Sequence, residues 1–377
     1  MSILIFFIIL AALVFVHELG HFLIAKAFGV GVDEFGLGFP PRLFSWKPKG
    51  GETRYSINLI PFGGFVKIFG ETPDDDSISG PDKKRSLVNK PKYAQVLVLL
   101  AGIVFNILFA WILISIGFTI GLPSSVSERY EKMVIDPQVI IVEVAPKSPA
   151  LEAGLEAGDA ITFMQSGADE IHSIPSLGGE SAGDISTTKI QAFISAHGDK
   201  DISILIKRKG APLLFHVTPK DGVVEGHPAI GIVMDMIGTL KLPFFQAFYE
   251  GAFLTKDLTV ATAGGITQFL GQVVTGHANF SQVSGPIGIA NQVTGARELG
   301  LAYLLSFTAF ISINLALLNL IPFPALDGGR ILFVLIEAAT RRPIKVKIAN
   351  AVNLVGFVLL IILMVVVAYK DILKLMK

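Results

Sequence analysis

Fourteen consecutive apolar residues, Ile3 to Val16, run without a break into His17-Glu18-Leu19-Gly20-His21. A stretch of this kind is a helix suited to hydrocarbon, where two imidazoles and a carboxylate are costly to bury and mark a functional site by default. The remainder of the chain agrees with a membrane setting. Of 377 residues, 51% are hydrophobic and 16% charged, against about a quarter charged in soluble domains. Net charge is zero and no basic block occurs, so nucleic acid is not an expected partner. The absence of cysteine excludes disulfides and thiolate metal sites, and leaves His, Asp and Glu as ligand types.

Four segments are apolar for long enough to cross roughly 30 Å of hydrocarbon as helices: Ile3 to about Phe28, Val96 to Leu122, Leu301 to about Ile321, and Ala351 to Ala368. The first lacks the positive n-region and A-x-A-like exit of a cleaved signal, so a retained span is expected. The chain then divides into a first span (1–28), a loop (29–94), a second span (95–122) and a long segment (123–240). These are followed by an amphipathic interfacial region (241–300), a third span with the Asp-Gly-Gly motif (301–340), a short loop (341–350) and a fourth span (351–377). Lys and Arg crowd the loop after the first span, from Arg42 to Lys92, and the loop holding Arg341, Arg342, Lys345 and Lys347. The positive-inside rule places both loops in the cytoplasm, and so both termini and the 123–300 region outside, although Lys370, Lys374 and Lys377 oppose this slightly.

Within the first loop, Arg54–Ile60 and Phe65–Phe69 read as short strands folded back on each other across a Pro61-Phe62-Gly63-Gly64 turn. Such an apolar hairpin enters the bilayer only where protein satisfies its edges. Residues 71–92 read as a solvated connector. In the long outer segment, Val139–Val144, Ala160–Phe163, Ile202–Arg208 and Leu213–Thr218 are strand-like, and predict a small α+β domain. Residues 242–275 are Phe-rich but broken by Glu250, Lys256 and Asp257, which predicts a helix at the outer interface rather than a fifth span.

His17-Glu18-Leu19-Gly20-His21 matches the H-E-x-x-H zinc pattern. Residues four apart share a helix face, so both imidazoles can hold one Zn²⁺, and Glu18 stands where a general base is needed. A polar helix-packing cluster without metal is the alternative. Catalytic zinc takes a third protein ligand and keeps one position open. Asp327, in Pro322-Phe323-Pro324-Ala325-Leu326-Asp327-Gly328-Gly329, is the candidate. Taken alone it reads as a helix N-cap after two prolines. Depth favours the ligand reading: His17 lies roughly 20 Å along the first span, and Asp327 falls near the matching end of a third span running the same way. Glu337 is further along, next to the basic loop.

The H-E-L-G-H helix, the Asn319–Gly329 segment, the Phe35-Gly36-Leu37-Gly38-Phe39 stretch and the Gly63-Gly64 hairpin together resemble the site-2 protease family of intramembrane zinc metalloproteases, most like its bacterial regulator-of-sigma-E branch. The resemblance covers nearly the whole chain. Ala153-Gly154-Leu155-Glu156-Ala157-Gly158-Asp159 resembles a PDZ domain, present once rather than in tandem. The fold implied is a polytopic α-helical membrane protein with four transmembrane helices, a cytoplasmic-side membrane-associated β-hairpin and an extracytoplasmic PDZ-like α+β domain, placed in a bacterial plasma membrane. The site implied is one Zn²⁺ on His17, His21 and Asp327, with Glu18 as base. Asn314, Asn319, Gly63 and Gly64 would contact substrate. Substrates implied are single-span membrane proteins, such as anti-sigma factors or remnant signal peptides, with a peptide or C-terminus at the PDZ domain.

Physical chemistry supports substrate contacts of this kind. A transmembrane helix must unwind before water attacks it, and the freed N–H and C=O groups then need partners. Asn offers donor and acceptor, and a strand edge offers a ladder. Interhelical hydrogen bonding is the alternative for Asn314 and Asn319. Two other functions compete: a non-catalytic scaffold presenting a PDZ domain, which has no need of Glu18, and a transporter, which would show inverted repeats not seen here.

Overall fold

The computed structural model describes residues 2–72, 75–126, 130, 133–172, 186–208, 210–224, 227–277, 285–298 and 300–375. Lys377, part of the outer segment (173–185) and part of the interfacial region (278–284 and 299) lie outside them. The chain forms two compact units, one made of Met1–Phe118 with Pro243–Lys377, the other of Thr119–Leu242.

In the first unit, α1 (Ser2–Ala27) is followed by β1 (Val32–Trp46), β2 (Arg54–Ile68), the short α2 (Asp75–Ser79) and α3 (Lys92–Ile120). Among the described residues four helices are long and apolar enough to cross a membrane: Ile3–Ala27, Lys92–Ile120, Leu301–Leu320 and Val346–Leu373. Helix α1 approaches α3 closely at Gly20, where a Cβ would sit 2.5 Å from the Ala101 carbonyl oxygen.

The β1–β2 pair corrects the expected hairpin. Pro61 to Gly64 lie within β2, and the two halves of that strand do not pair with each other. Residues 34–37 of β1 lie between them, partnered in opposite direction with Lys67 to Gly64 and in the same direction with Arg54 to Ile57. The second half of β1 then pairs with the first half of β2, Arg42 with Asn58 through Trp46 with Tyr55. Gly36 is needed at the crossing because a Cβ there would strike the Phe65 ring. Phe35 docks the sheet on α1, its ring 5.6 Å from Phe15 and 5.3 Å from Phe22. The far end of the sheet exposes Phe39, Leu43, Phe44, Trp46, Ile57 and Ile60. Residues 71–92 are more than a solvated connector. Leu87 is buried with Val30, Val32 and Ile68, and Leu87 N–H donates to the Phe69 carbonyl.

The second unit contains β3 (Leu122–Ser125), β4 (Val134–Val144), α4 (Pro149–Ala153), β5 (Ala160–Ser166), β6 (Asp169–His172), α5 (Thr187–Ala196), β7 (Ile202–Arg208), β8 (Ala211–Val217), β9 (Lys220–Val224), β10 (His227–Ala229) and β11 (Ile232–Leu240). Its sheet runs β3-β11-β4-β5-β7-β8, with β6 beside β5, and β9 pairs with β10 separately. Alternating residues Ile202, Ile204 and Ile206 enter a core with Ile141, Leu155, Met164 and Ile190. Ser148 caps α4 by accepting from Leu151 N–H, and Gly154 ends it in a left-handed conformation. Arg208 pins the following loop through Asp159 and Glu156.

The chain returns to the first unit as α6 (Phe244–Val274), α7 (Pro286–Glu298), α8 (Leu301–Leu320), α9 (Asp327–Thr340) and α10 (Val346–Leu375). Helix α6 packs on α3, with the Trp111 indole donating to the Phe248 carbonyl and Gly251 against Ser115. Val293 of α7 is fully buried with Ile9 and Leu13 of α1. The 301–340 segment is two helices, not one span: α8 stops at Leu320, and α9 starts at Asp327 after a break containing two prolines.

Candidate metal centre

His17 and His21 lie one turn apart on α1 and are buried at 8% and 5% exposure. Their Nε2 atoms are 3.2 Å apart. The Oδ2 of Asp327 lies 3.0 Å from His17 Nε2 and 3.3 Å from His21 Nε2. Asp327 is the first residue of α9, whose N-cap position is Leu326 with no side-chain cap bond. The structure therefore corrects the N-cap reading: the carboxylate turns to the imidazoles instead.

The break before α9 aims that carboxylate. Phe323 N–H donates to Ile321, and Leu326 N–H to Phe323, while Ala325 takes a positive φ of 74°. Helix α10 braces the turn, its Asn353 Oδ1 accepting from Ala325 N–H at 3.3 Å. Gly328 and Gly329 let the first turn of α9 sit on this loop, since a Cβ at either would strike carbonyls of Ile321 or Phe323.

The donor set fits zinc. Val98 O can only accept, so His21 Nδ1, 2.8 Å away, carries the proton and Nε2 presents a lone pair. Two imidazole nitrogens and a carboxylate oxygen thus converge on one point at 3.0, 3.2 and 3.3 Å from one another, each able to ligate a cation. Ligands at about 2.0–2.1 Å from tetrahedral zinc stand about 3.3 Å apart, and three of them leave one position open. Among the described residues this is the one trio of His, Asp and Glu side chains placed to hold a metal ion.

Glu18 faces β2, where its Oε2 accepts from Val66 N–H at 3.0 Å. The edge of β2 not paired with β1 therefore runs past the cluster. Gly64 lies on it: a Cβ there would be 3.9 Å from Glu18 Cγ and 2.9 Å from the Gly36 carbonyl. Gly63 packs near Val14, with φ 77°. Arg330, one turn beyond Asp327, forms an ion pair with Glu71 just after β2 and so ties α9 to the sheet. Glu337 is occupied by Lys92 and by Ile344 N–H. Asn314 spends its amide on its own helix, donating to Phe310 O at 2.9 Å, and Asn319 makes no side-chain hydrogen bond among the described residues. Neither touches the His17–His21–Asp327 cluster there. Asn106, Gly102 and Val98 of α3, which do reach the two imidazoles, carry no motif that would have singled them out.

The model of peptidase family M50 matches residues 5–363. This chain belongs to peptidase family M50. It is 36% identical over 368 residues to CPE1693 of Clostridium perfringens, which carries a zinc-metalloprotease name, with 96% of each chain covered. It is 30% identical to zinc metalloprotease RasP of Geobacillus kaustophilus, covering 99% of this chain and 98% of that one. It is 29% identical to the regulator of sigma-W protease RasP of Bacillus subtilis, covering 98% of each. The M50 chain is accordingly a zinc metalloprotease, and its apolar helices make it a membrane protein.

Proposed function

We propose that the chain cuts single-span membrane proteins within or at the edge of the bilayer, with His17, His21 and Asp327 holding zinc and Glu18 as general base. The observation that carries this is the convergence of His17, His21 and Asp327 on one point, with Glu18 beside the two histidines on a helix long and apolar enough to span a membrane. Zinc in such a site supplies Lewis acidity, making water a nucleophile near neutral pH and polarising the carbonyl under attack. Val66 N–H fixes Glu18 Oε2, leaving Oε1 to take the proton of the attacking water and pass it to the leaving amide nitrogen. An unwound substrate strand needs backbone partners in a dry environment, and the open edge of β2 at Gly64 offers them. Asn314 and Asn319 of α8, with Gly63 and Gly64, are assigned to the same binding path.

The basic loops are assigned to the cytoplasm of a bacterium and both termini to the outer face. Anti-sigma factors and remnant signal peptides are assigned as substrate classes; the Bacillus relative's name, regulator of sigma-W protease, is in keeping with the first. A PDZ-like role for the second unit is supported by a groove of about 280 Å³ between α5 and β10–β11, lined by Gln191, Ile194, Ile230 and Ile232. Along it β11 is paired with β4, while β3 covers only Ile237–Leu240, leaving an edge for an added peptide strand.

The test is zinc analysis and cleavage of a transmembrane peptide by liposome-reconstituted wild type and Glu18→Gln. The variant should keep its zinc and lose cleavage, because the ligands survive and the base does not. Cleavage retained by purified Glu18→Gln refutes the mechanism.

A further inference from the structure

We infer that Asn106 of α3 is a positioning residue of the metal centre, holding His17 by Nδ1 so that Nε2 stays aimed at the shared point; this rests on the metal reading above. Asn106 is fully buried, with its Nδ2 3.3 Å from His17 Nδ1. Its Oδ1 is also buried and has no hydrogen-bond partner. A buried amide with an orphaned oxygen is expensive among spanning helices and asks for a purpose.

Helix α3 presents three groups to the imidazoles at steps of four residues, hence on one face. Val98 supplies the carbonyl that takes His21 Nδ1–H. Gly102 supplies room, since a Cβ there would lie 2.5 Å from His21 Nε2 and 2.7 Å from His17 Cε1. Asn106 supplies an amide to His17. The two histidines differ in one respect. A carbonyl locks His21 into the tautomer whose Nε2 can bind metal, whereas an amide can match either tautomer of His17.

With Nδ2 toward the ring, His17 keeps its proton on Nε2 and donates it to Asp327, 3.0 Å away. A half-turn of the amide exchanges its N and O without changing its shape. Oδ1 then takes a proton from Nδ1, and Nε2 is freed for zinc. One residue thus serves the metal-free and the loaded centre, which neither a carbonyl nor an apolar side chain could do. Interhelical packing does not explain the amide, because the link from α8 goes to the Asn106 backbone: Ser312 Oγ donates to its carbonyl at 2.8 Å.

The test is zinc affinity by chelator competition on the full-length protein in detergent, for wild type, Asn106→Leu, Asn106→Asp and Ser312→Ala. Loss of an outer-shell partner weakens metal binding about 10–100-fold, and that is the loss expected of Asn106→Leu. A carboxylate also accepts from Nδ1–H, so Asn106→Asp should hold zinc at least as tightly as wild type. Ser312→Ala should match wild type. Wild-type affinity in Asn106→Leu overturns the inference, as does weakened binding in Asn106→Asp, the arm that still decides if the leucine variant does not fold. Failure of wild type itself to bind zinc would instead remove the metal reading.

Discussion

Gly102→Ala isolates the metal centre with one methyl group. The new Cβ would stand 2.5 Å from His21 Nε2, 2.7 Å from His17 Cε1 and 2.8 Å from His17 Nε2. Ordinary contact needs about 3.5 Å, so both rings must yield by roughly 0.7–1 Å. Neither has an easy retreat. His21 is tethered to Val98 O, and the α1 backbone is already against Ala101 at Gly20. Overpacking of this kind costs about 1–3 kcal/mol, which at about 1.4 kcal/mol per tenfold is about a 5- to 150-fold loss of zinc affinity. Cleavage should fall further, by about 100-fold, as expected when reacting groups are displaced by about 1 Å. The backbone offers no competing explanation, because alanine favours a helix over glycine by about 1 kcal/mol. Gly264→Ala on α6 is the control, as nothing lies within 4 Å of its Cβ position. The assay is zinc content over a range of buffered free zinc, with melting temperature beside it. Wild-type zinc affinity and wild-type cleavage in Gly102→Ala would refute the close packing of α3 on the imidazoles.

Two further outcomes follow from the same geometry. Asp327→Ala should lower both zinc content and cleavage, because the third donor atom is lost; full metal occupancy in that variant would return the carboxylate to a purely structural role. With Trp111→Phe leaving Trp46 as the sole tryptophan, brominated lipids should quench its emission, since Trp46 lies among the exposed apolar residues Phe39, Leu43, Phe44 and Ile57; unquenched emission in liposomes would keep the sheet out of the bilayer.

What the sequence disclosed depended on how local each signal was. The spans were legible because a run of apolar residues is its own evidence, and His17, Glu18 and His21 because a helix turn fixes their spacing. Asp327 was harder. Its two prolines announced a helix start, which is true of α9, yet the cap position falls on Leu326 and the carboxylate is left free for the imidazoles. The sheet was misread for a related reason. Pro61-Phe62-Gly63-Gly64 has turn chemistry and does redirect the chain, but the partner that separates the two flanking segments is residues 34–37, from the previous strand. Strand pairing at that distance leaves no periodic mark.

Helix α3 shows most clearly what a motif cannot convey. In the sequence Asn106 only interrupts an apolar span, and Gly102 is one of 38 glycines. Their meaning comes from the close crossing with α1 at Gly20 and Ala101, which brings that face of α3 to the rings. Three separate stretches then meet at one site: α1 gives two imidazoles and Glu18, α9 a carboxylate, and α3 the groups that touch the two rings. The arrangement also explains how a polar centre survives among apolar helices. His21 Nδ1–H goes to Val98, Glu18 to Val66 N–H, and Asp327 to His17 Nε2–H. Protein meets these demands where lipid cannot. The exception is Asn106 Oδ1, which rotation of its own amide would bring to His17 in exchange for Nδ2.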